Sequence, residues 1–348
     1  MITTVIGAFP KPKYLKITDW FNYTGGTDTA NPTAFYEEEI KKMGVKSEKM
    51  FEKATKEVIE DQIDCGIDII TDGEIRRENY IHYHCRHLKG IDFKNLTEKV
   101  ARTGNYKCWL PTIVNKIEAK KSFLVEEWIK NQKISSKPIK ITIPGPMTIS
   151  DTVSNNFYKS EEEMGNDLAE AINVEIKRLV KAGCKYIQVD EPLFARKPEN
   201  ALSFGIRNLE KCFKDISENN LEKITHICCG YPDKLDAKNY PKAPIESYKK
   251  IFKALDSSII DSISIEDAHR YNDFNILKYL TKTKLILGVI KIANSKIESI
   301  EEIQERINRA KKYISSDQLI IAPDCGLGHL PKKLAILKLK RMVEAVKK

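Results

Sequence analysis

The sequence predicts an α/β chain, a (β/α)8 TIM barrel with an insertion between strands 2 and 3. Three observations predict it. Eight short apolar runs recur along the 348 residues, each ending in polar, Gly or Pro residues. Helical patterns separate most of them, the rhythm of parallel βαβ units. The length suits one barrel of roughly 250 residues plus an added segment of about 60. An open, doubly wound sheet is the competing architecture.

In chain order the predicted strands are 3–9, 67–74, 139–146, 186–192, 224–230, 259–267, 285–292 and 319–325. Helices are expected at 34–64, 160–182, 201–218, 245–255, 300–314 and 331–346. Residues 77–138 are too long for one crossover and carry mixed signals, including Gly104-Asn105 and a charged stretch at 118–132, so a hairpin plus a helix is expected there. No linker rich in Ser, Gly or Pro divides the chain, and 1–348 reads as one catalytic domain.

Composition narrows the function classes. Hydrophobic residues are 41% and charged residues 31%, enough for a sizeable core and unlike a disordered tail. No apolar run approaches the roughly 18 residues of a membrane span. The start, MITTVIGAFPKPKY, lacks the basic and apolar regions of a secretory leader, so a cytoplasmic protein is expected. The net charge of +9 is spread along the chain among acids, which argues against a nucleic-acid surface. The eight cysteines (Cys65, Cys85, Cys108, Cys184, Cys212, Cys228, Cys229, Cys325) are expected as reduced thiols.

Chemistry in a barrel sits at the C-terminal ends of its strands. Strand five ends in His226-Ile227-Cys228-Cys229. Side chains alternate across a strand, so His226 and Cys228 share a side and Cys229 takes the other. Cys325 and Glu266 lie at the corresponding ends of two other strands. Two sulfurs, one nitrogen and one oxygen would suit a tetrahedral Zn2+. The alternative is a buried Cys pair beside a satisfied core histidine.

Acids are the second feature. Glu74, Asp190, Glu191 and Glu266 lie at strand ends, where burial costs several kcal/mol each unless cations such as Arg76, Arg77, a metal or a substrate amine meet them. Helix capping is the other use of such acids, and is expected for Asp267 and Asp324. The tract His82, His84, His87 looks metal-like, yet a packing role is expected. Gly326 and Gly328 lack the residues of a P-loop or dinucleotide turn.

These words in this order make the chain similar to the catalytic C-terminal half of cobalamin-independent methionine synthase, as a short, core-type member. The likeness runs from Ile6-Gly7-Ala8-Phe9 through Asp72-Gly73-Glu74, Pro144-Gly145-Pro146-Met147-Thr148, Gln188-Val189-Asp190-Glu191-Pro192, His226-Ile227-Cys228 and Ile265-Glu266 to Pro323-Asp324-Cys325-Gly326-Leu327. The resemblance implies a zinc-bearing barrel that methylates the homocysteine thiol. By it, His226, Cys228, Glu266 and Cys325 match the zinc ligands, and Glu74 and Asp190 the acids holding the amino group. Ile6, Gly7 and Ala8 match the turn that meets the amino acid's backbone end, with Ala8 replacing the usual Ser. An acidic clamp also disfavours a sulfonate thiol.

Departures from the family bear on the donor. Thr152 stands where the family has a folate-stacking Trp. The strand-seven text, Gly288 to Asn294, lacks the family's His. Lys291 is the candidate substitute acid. These departures lead to the expectation that the donor is a methyl-corrinoid (methylcobalamin or a corrinoid protein) or another small methyl donor, rather than methyltetrahydrofolate. Competing readings are a zinc alkyltransferase for another thiol, a non-catalytic zinc or amino-acid binding protein, and a zinc hydrolase.

Overall fold

The computed structural model describes residues 1–21, 30–101, 106–216, 221–232, 234–237 and 242–348. In chain order the strands are β1 (Ile2–Thr3), β2 (Ile70–Thr71), β3 (Leu88–Ala101), β4 (Tyr106–Ala119), β5 (Ile139–Pro144), β6 (Ser154–Asn155), β7 (Tyr186–Asp190), β8 (Glu222–Ile227), β9 (Ser262–Ile265), β10 (Lys284–Ile290) and β11 (Leu319–Pro323). Eight of these form one sheet in the order β1-β11-β10-β9-β8-β7-β5-β2. All its neighbouring pairs are parallel. Spatial order follows chain order with no reversal, unlike a doubly wound sheet. The edge strands meet: Thr4 and Ile69 form a parallel bridge, and the Ile69 N–H donates to the Thr3 carbonyl at 3.1 Å. The sheet is curled into a TIM-barrel-like shape.

The strands are shorter than predicted, mostly at their C-terminal ends. The run 186–192 ends as a strand at Asp190; the Glu191 N–H still donates to the His226 carbonyl at 2.8 Å, while its side chain binds the backbone at the start of a helix. Apolar pattern alone does not mark that end.

The helix expected at 34–64 is two, α1 (Ala30–Met43) and α2 (Ser47–Asp64). Gly44 breaks it with φ +57°, a backbone region that suits glycine. Between β2 and β5 the chain forms α3 (Tyr80–Cys85), the antiparallel pair β3 and β4, and α4 (Val125–Ile134). The charged helix begins later than the sequence suggests, since β4 continues to Ala119. Gly104-Asn105 lies outside the described residues. After α5 (Pro146–Asp151), the short β6 pairs with β4. Helix α6 (Glu161–Lys181) starts at Ser160, whose hydroxyl accepts the Glu163 N–H at 3.1 Å. The helical run expected at 201–218 is Ala201–Gly205 and Ile206–Cys212, and its expected end lies outside the described residues. No helix among the described residues is long and apolar enough to cross a membrane.

Candidate active site

The end of β8 and the residues after β11 bring three ligating side chains together. One donor atom each from His226, Cys228 and Cys325 lies within 4.8 Å of the others. The strand register sets the imidazole: His226 sits opposite Ser264 on β9, and its Nδ1 is 2.9 Å from the Ser264 hydroxyl. That leaves Nε2 facing the thiols, 3.4 Å from Cys325 Sγ. Such a partner on the far nitrogen orients a ligating histidine. The hydrogen bond between the thiols, with help from His226, holds Cys228 well below the usual thiol range. The same bond and burial push Cys325 up. Cys229 points away, its sulfur 2.7 Å from an Arg270 nitrogen.

Glu266 does not join the three. Both its oxygens take the Lys242 ammonium, at 2.8 and 2.9 Å. Sequence reading could not see this cation, because it comes from a separate loop.

The acids divide by their donors. Gly73 and Glu74 both have left-handed backbones, φ +69° and +56°. For a glutamate this costs on the order of 1 kcal/mol, a strain that clusters at functional sites. The turn is held by Thr71 Oγ1 accepting the Gly73 N–H and Asp72 Oδ1 accepting the Glu74 N–H. Glu74 Oε1 accepts from Arg77 at 3.1 Å and from the Thr142 hydroxyl at 2.7 Å. Arg76 pairs elsewhere, with Glu48 and Glu127. Asp190 Oδ1 accepts the Gln188 amide at 2.7 Å, and burial pushes its carboxyl up to about 7.

Glu191 and Asp324 are used by the backbone. Glu191 accepts the N–H groups of Met147 and Thr148 and the Thr148 hydroxyl. Asp324 accepts the N–H groups of Asp267, Ala268 and His269. Asp267 in turn holds Asn272 and Arg306.

Ile6, Gly7, Ala8, Glu74, Asp190, His226, Cys228 and Cys325 line one cavity of about 180 Å3. Lys291 and Glu266 are not among its lining residues; the Lys291 N–H caps onto Glu298 at 2.9 Å. Aromatic residues that sequence reading did not single out complete the wall: Trp20, Phe21, Tyr80 and Tyr231. Trp20 and Tyr231 lie nearly parallel, with ring centroids 6.3 Å apart. They come from the loops after β1 and β8, so no local motif announces them. Cys108 and Leu110 of β4 form a further part of the wall, beside Thr148, Asp151, Thr152 and Arg196. His82 and His84 are buried in α3. His82 bonds Thr33 and the Thr152 carbonyl, and His87 stacks on Phe123 at 4.1 Å.

The chain matches the family described as the catalytic domain of cobalamin-independent synthase over residues 1–348. A methionine synthase of Saccharolobus solfataricus is 31% identical over 348 residues, covering 99% of this chain and 93% of that protein. A methionine synthase of Sulfolobus acidocaldarius is 31% identical over 344 residues, covering 98% and 90%. Among solved structures, a B12-independent methionine synthase from Shewanella sp. W3-18-1, in complex with selenomethionine, aligns with a TM-score of 0.84 and 28% identity over 99% of this chain and 96% of that one.

The expectation of a corrinoid donor is corrected here. Both the family and the Shewanella relative are described as independent of cobalamin. The physical step that failed was reading the donor surface from single positions. Thr152 offers no aromatic face, but Trp20, Tyr80 and Tyr231 bring aromatic faces to the same cavity from other parts of the chain. The strand-seven end lacks a histidine of its own; His269 reaches it from the β9 side, but its Nε2 accepts the Ile292 N–H at 3.0 Å and it is not among the cavity's lining residues.

Proposed function

The chain belongs to the family of cobalamin-independent methionine synthases, which methylate homocysteine, and from that premise we propose how its own residues do so. Residues 1–348 act as one catalytic unit, with 77–138 inserted between the second and third strands of the barrel. His226, Cys228 and Cys325 hold zinc. Their donor set supports this reading: two adjacent thiols and an imidazole turned toward them suit a borderline-soft ion. Bound zinc supplies acidity, so that a thiol with an ordinary pKa of about 8.5 reacts as a thiolate at neutral pH. These three residues would hold the ion and zinc would supply the acidity, while Glu266 is occupied by Lys242.

The remaining residues orient homocysteine. Asp190, with one oxygen already bound, offers the other to the substrate ammonium. Glu74 stands beside it, fixed by Arg77 and Thr142. Gly7 lets this wall close up: a Cβ there would lie 2.5 Å from Glu74 Oε1. Holding the ammonium aims the sulfur at the methyl carbon, so the gain is orientation. The Shewanella relative's complex with selenomethionine supports a cavity that accepts a methylated amino acid of this kind.

The observation that carries the proposal is the common cavity shared by the His226, Cys228, Cys325 cluster and Asp190. The test supplies zinc-loaded protein with homocysteine and, in parallel, methyltetrahydrofolate or methylcobalamin. Methyltetrahydrofolate is the donor expected to work, because Trp20, Tyr80 and Tyr231 offer faces on which a flat ring stacks. Methionine from methylcobalamin alone overturns the donor and leaves the acceptor standing. No methionine in either tube overturns both.

A further inference from the structure

Beneath the cavity a charged side chain is buried where the sequence gives no reason to expect one. Lys140 on β5 has no exposed surface. Its Nζ donates to the Val5 carbonyl at 2.6 Å and to Gln188 Oε1 at 2.5 Å. Gln188, on the neighbouring β7, then donates through Nε2 to the Ile6 carbonyl at 2.9 Å and to Asp190 Oδ1 at 2.7 Å. These contacts form a chain from Lys140 through Gln188 to Asp190, with two links to the backbone of the turn at Ile6.

We infer that Lys140 and Gln188 are positioning residues for recognition of the substrate's amino group, acting through Asp190. The inference rests on the reading that Asp190 receives that group. An ammonium donates and never accepts, so it fixes which end of the Gln188 amide faces it. With Oε1 held by Lys140, Nε2 has to face Asp190. Asp190 is thereby offered a donor, which favours its ionised form. If the amide flipped, it would present an oxygen to Asp190, and only a protonated carboxyl satisfies that contact. A protonated Asp190 does not hold an ammonium by charge. Burial pushes Lys140 down to about 7, while Asp190 and Glu74 favour its charged form; in that form it opposes the burial that pushes Asp190 up. A buried lysine carries a desolvation cost that its partners must offset. A Leu or Met would fill this strand position without that cost. Recognition of the amine gives the position a use that packing does not.

The test compares two thiols on zinc-loaded protein by calorimetry: homocysteine, and 4-mercaptobutanoate, which lacks only the amino group. Wild type is expected to prefer homocysteine. Lys140→Met should weaken homocysteine by at least about tenfold and leave 4-mercaptobutanoate unchanged, so the preference collapses. In turnover, KM for homocysteine should rise more than kcat falls. Gln188→Met should do the same and carries the test if Lys140→Met does not fold. Equal weakening of both thiols, or no change in either, overturns the inference in favour of a merely structural role. If wild type binds both thiols alike, the Asp190 reading itself fails and this inference goes with it.

Discussion

Asp190 and Glu191 are neighbours at the end of one strand, both buried, and the structure uses them in opposite ways. Glu191 faces three donors from the first turn of α5. Asp324, at the end of β11, likewise takes three backbone N–H groups. Asp190 receives one side-chain amide and faces the cavity. Burial raises all three, to about 7 for Asp190 and Asp324 and about 8 for Glu191. A raised carboxyl therefore does not by itself mark a functional acid. The count of satisfied oxygens separates the acid that holds the fold from the acid left open for a ligand.

The largest expected effect lies on the open side of this comparison. Cys325→Ser should lower zinc retention by about 100-fold or more and abolish methyl transfer, while the metal-free variant unfolds at the wild-type denaturant midpoint. Metal content by mass spectrometry decides it; a fully loaded variant would remove Cys325 from the ligand set.

Asp190→Asn comes next. It should weaken homocysteine by about 100-fold, the loss of a charged hydrogen bond, with zinc retained. It should also raise stability at pH 8. The folded pKa of about 7 lies above the unfolded value of about 3.9. The folded state therefore resists ionisation, and stability falls as pH rises from about 4 to about 7. Asn removes that cost, by ~1–3 kcal/mol after relaxation. Urea unfolding at pH 5 and pH 8 measures it; a gain at neither pH contradicts the open-acid reading.

Glu191→Ala should show the reverse profile. It strands two buried N–H groups and a hydroxyl, which costs about 3 kcal/mol or more. KM for homocysteine in the folded protein should stay within about twofold. A large KM effect without loss of stability would erase the distinction between the two neighbours.

The smallest effect is graded. Below about 7 homocysteine affinity should fall more steeply in wild type than in Asp190→Asn, by about a further tenfold per pH unit, as Asp190 takes a proton. The Asp190→Asn titration should keep only the shallower slope of thiol deprotonation on the metal. Parallel calorimetric titrations between pH 5.5 and 8 check this.

How much of the site was readable follows from where each residue sits. His226, Cys228 and Cys325 lie at strand ends, and period-two alternation places the first two on one side. Their convergence was legible once the strands were counted. Asp324 was expected to cap a helix, but the N–H groups it accepts belong to the loop after β9, a partner the sequence does not mark. Lys242 was not legible, because its loop position is set by tertiary packing that no pattern encodes. Trp20 and Tyr231 were missed likewise: they reach the cavity from loops after two different strands. Lys140 was visible as one lysine inside an Ile-rich strand, but a single breach of pattern does not say what it touches. The helix break at Gly44 depended on one residue's backbone freedom, which a helical periodicity over 34–64 conceals.

The β3 and β4 hairpin gives the molecule a division of labour. The His226, Cys228, Cys325 cluster and the acids belong to the strands of the eight-stranded sheet and the turns that follow them, while Cys108 and Leu110 come from β4, in the segment between β2 and β5. A loop carried on a rigid scaffold is where sequence change is best tolerated. The chain can therefore alter one wall of its cavity by exchanging a single segment, leaving the chemical machinery in place. Selectivity for what enters is separable from reactivity, which makes this hairpin the natural graft point for retargeting the enzyme.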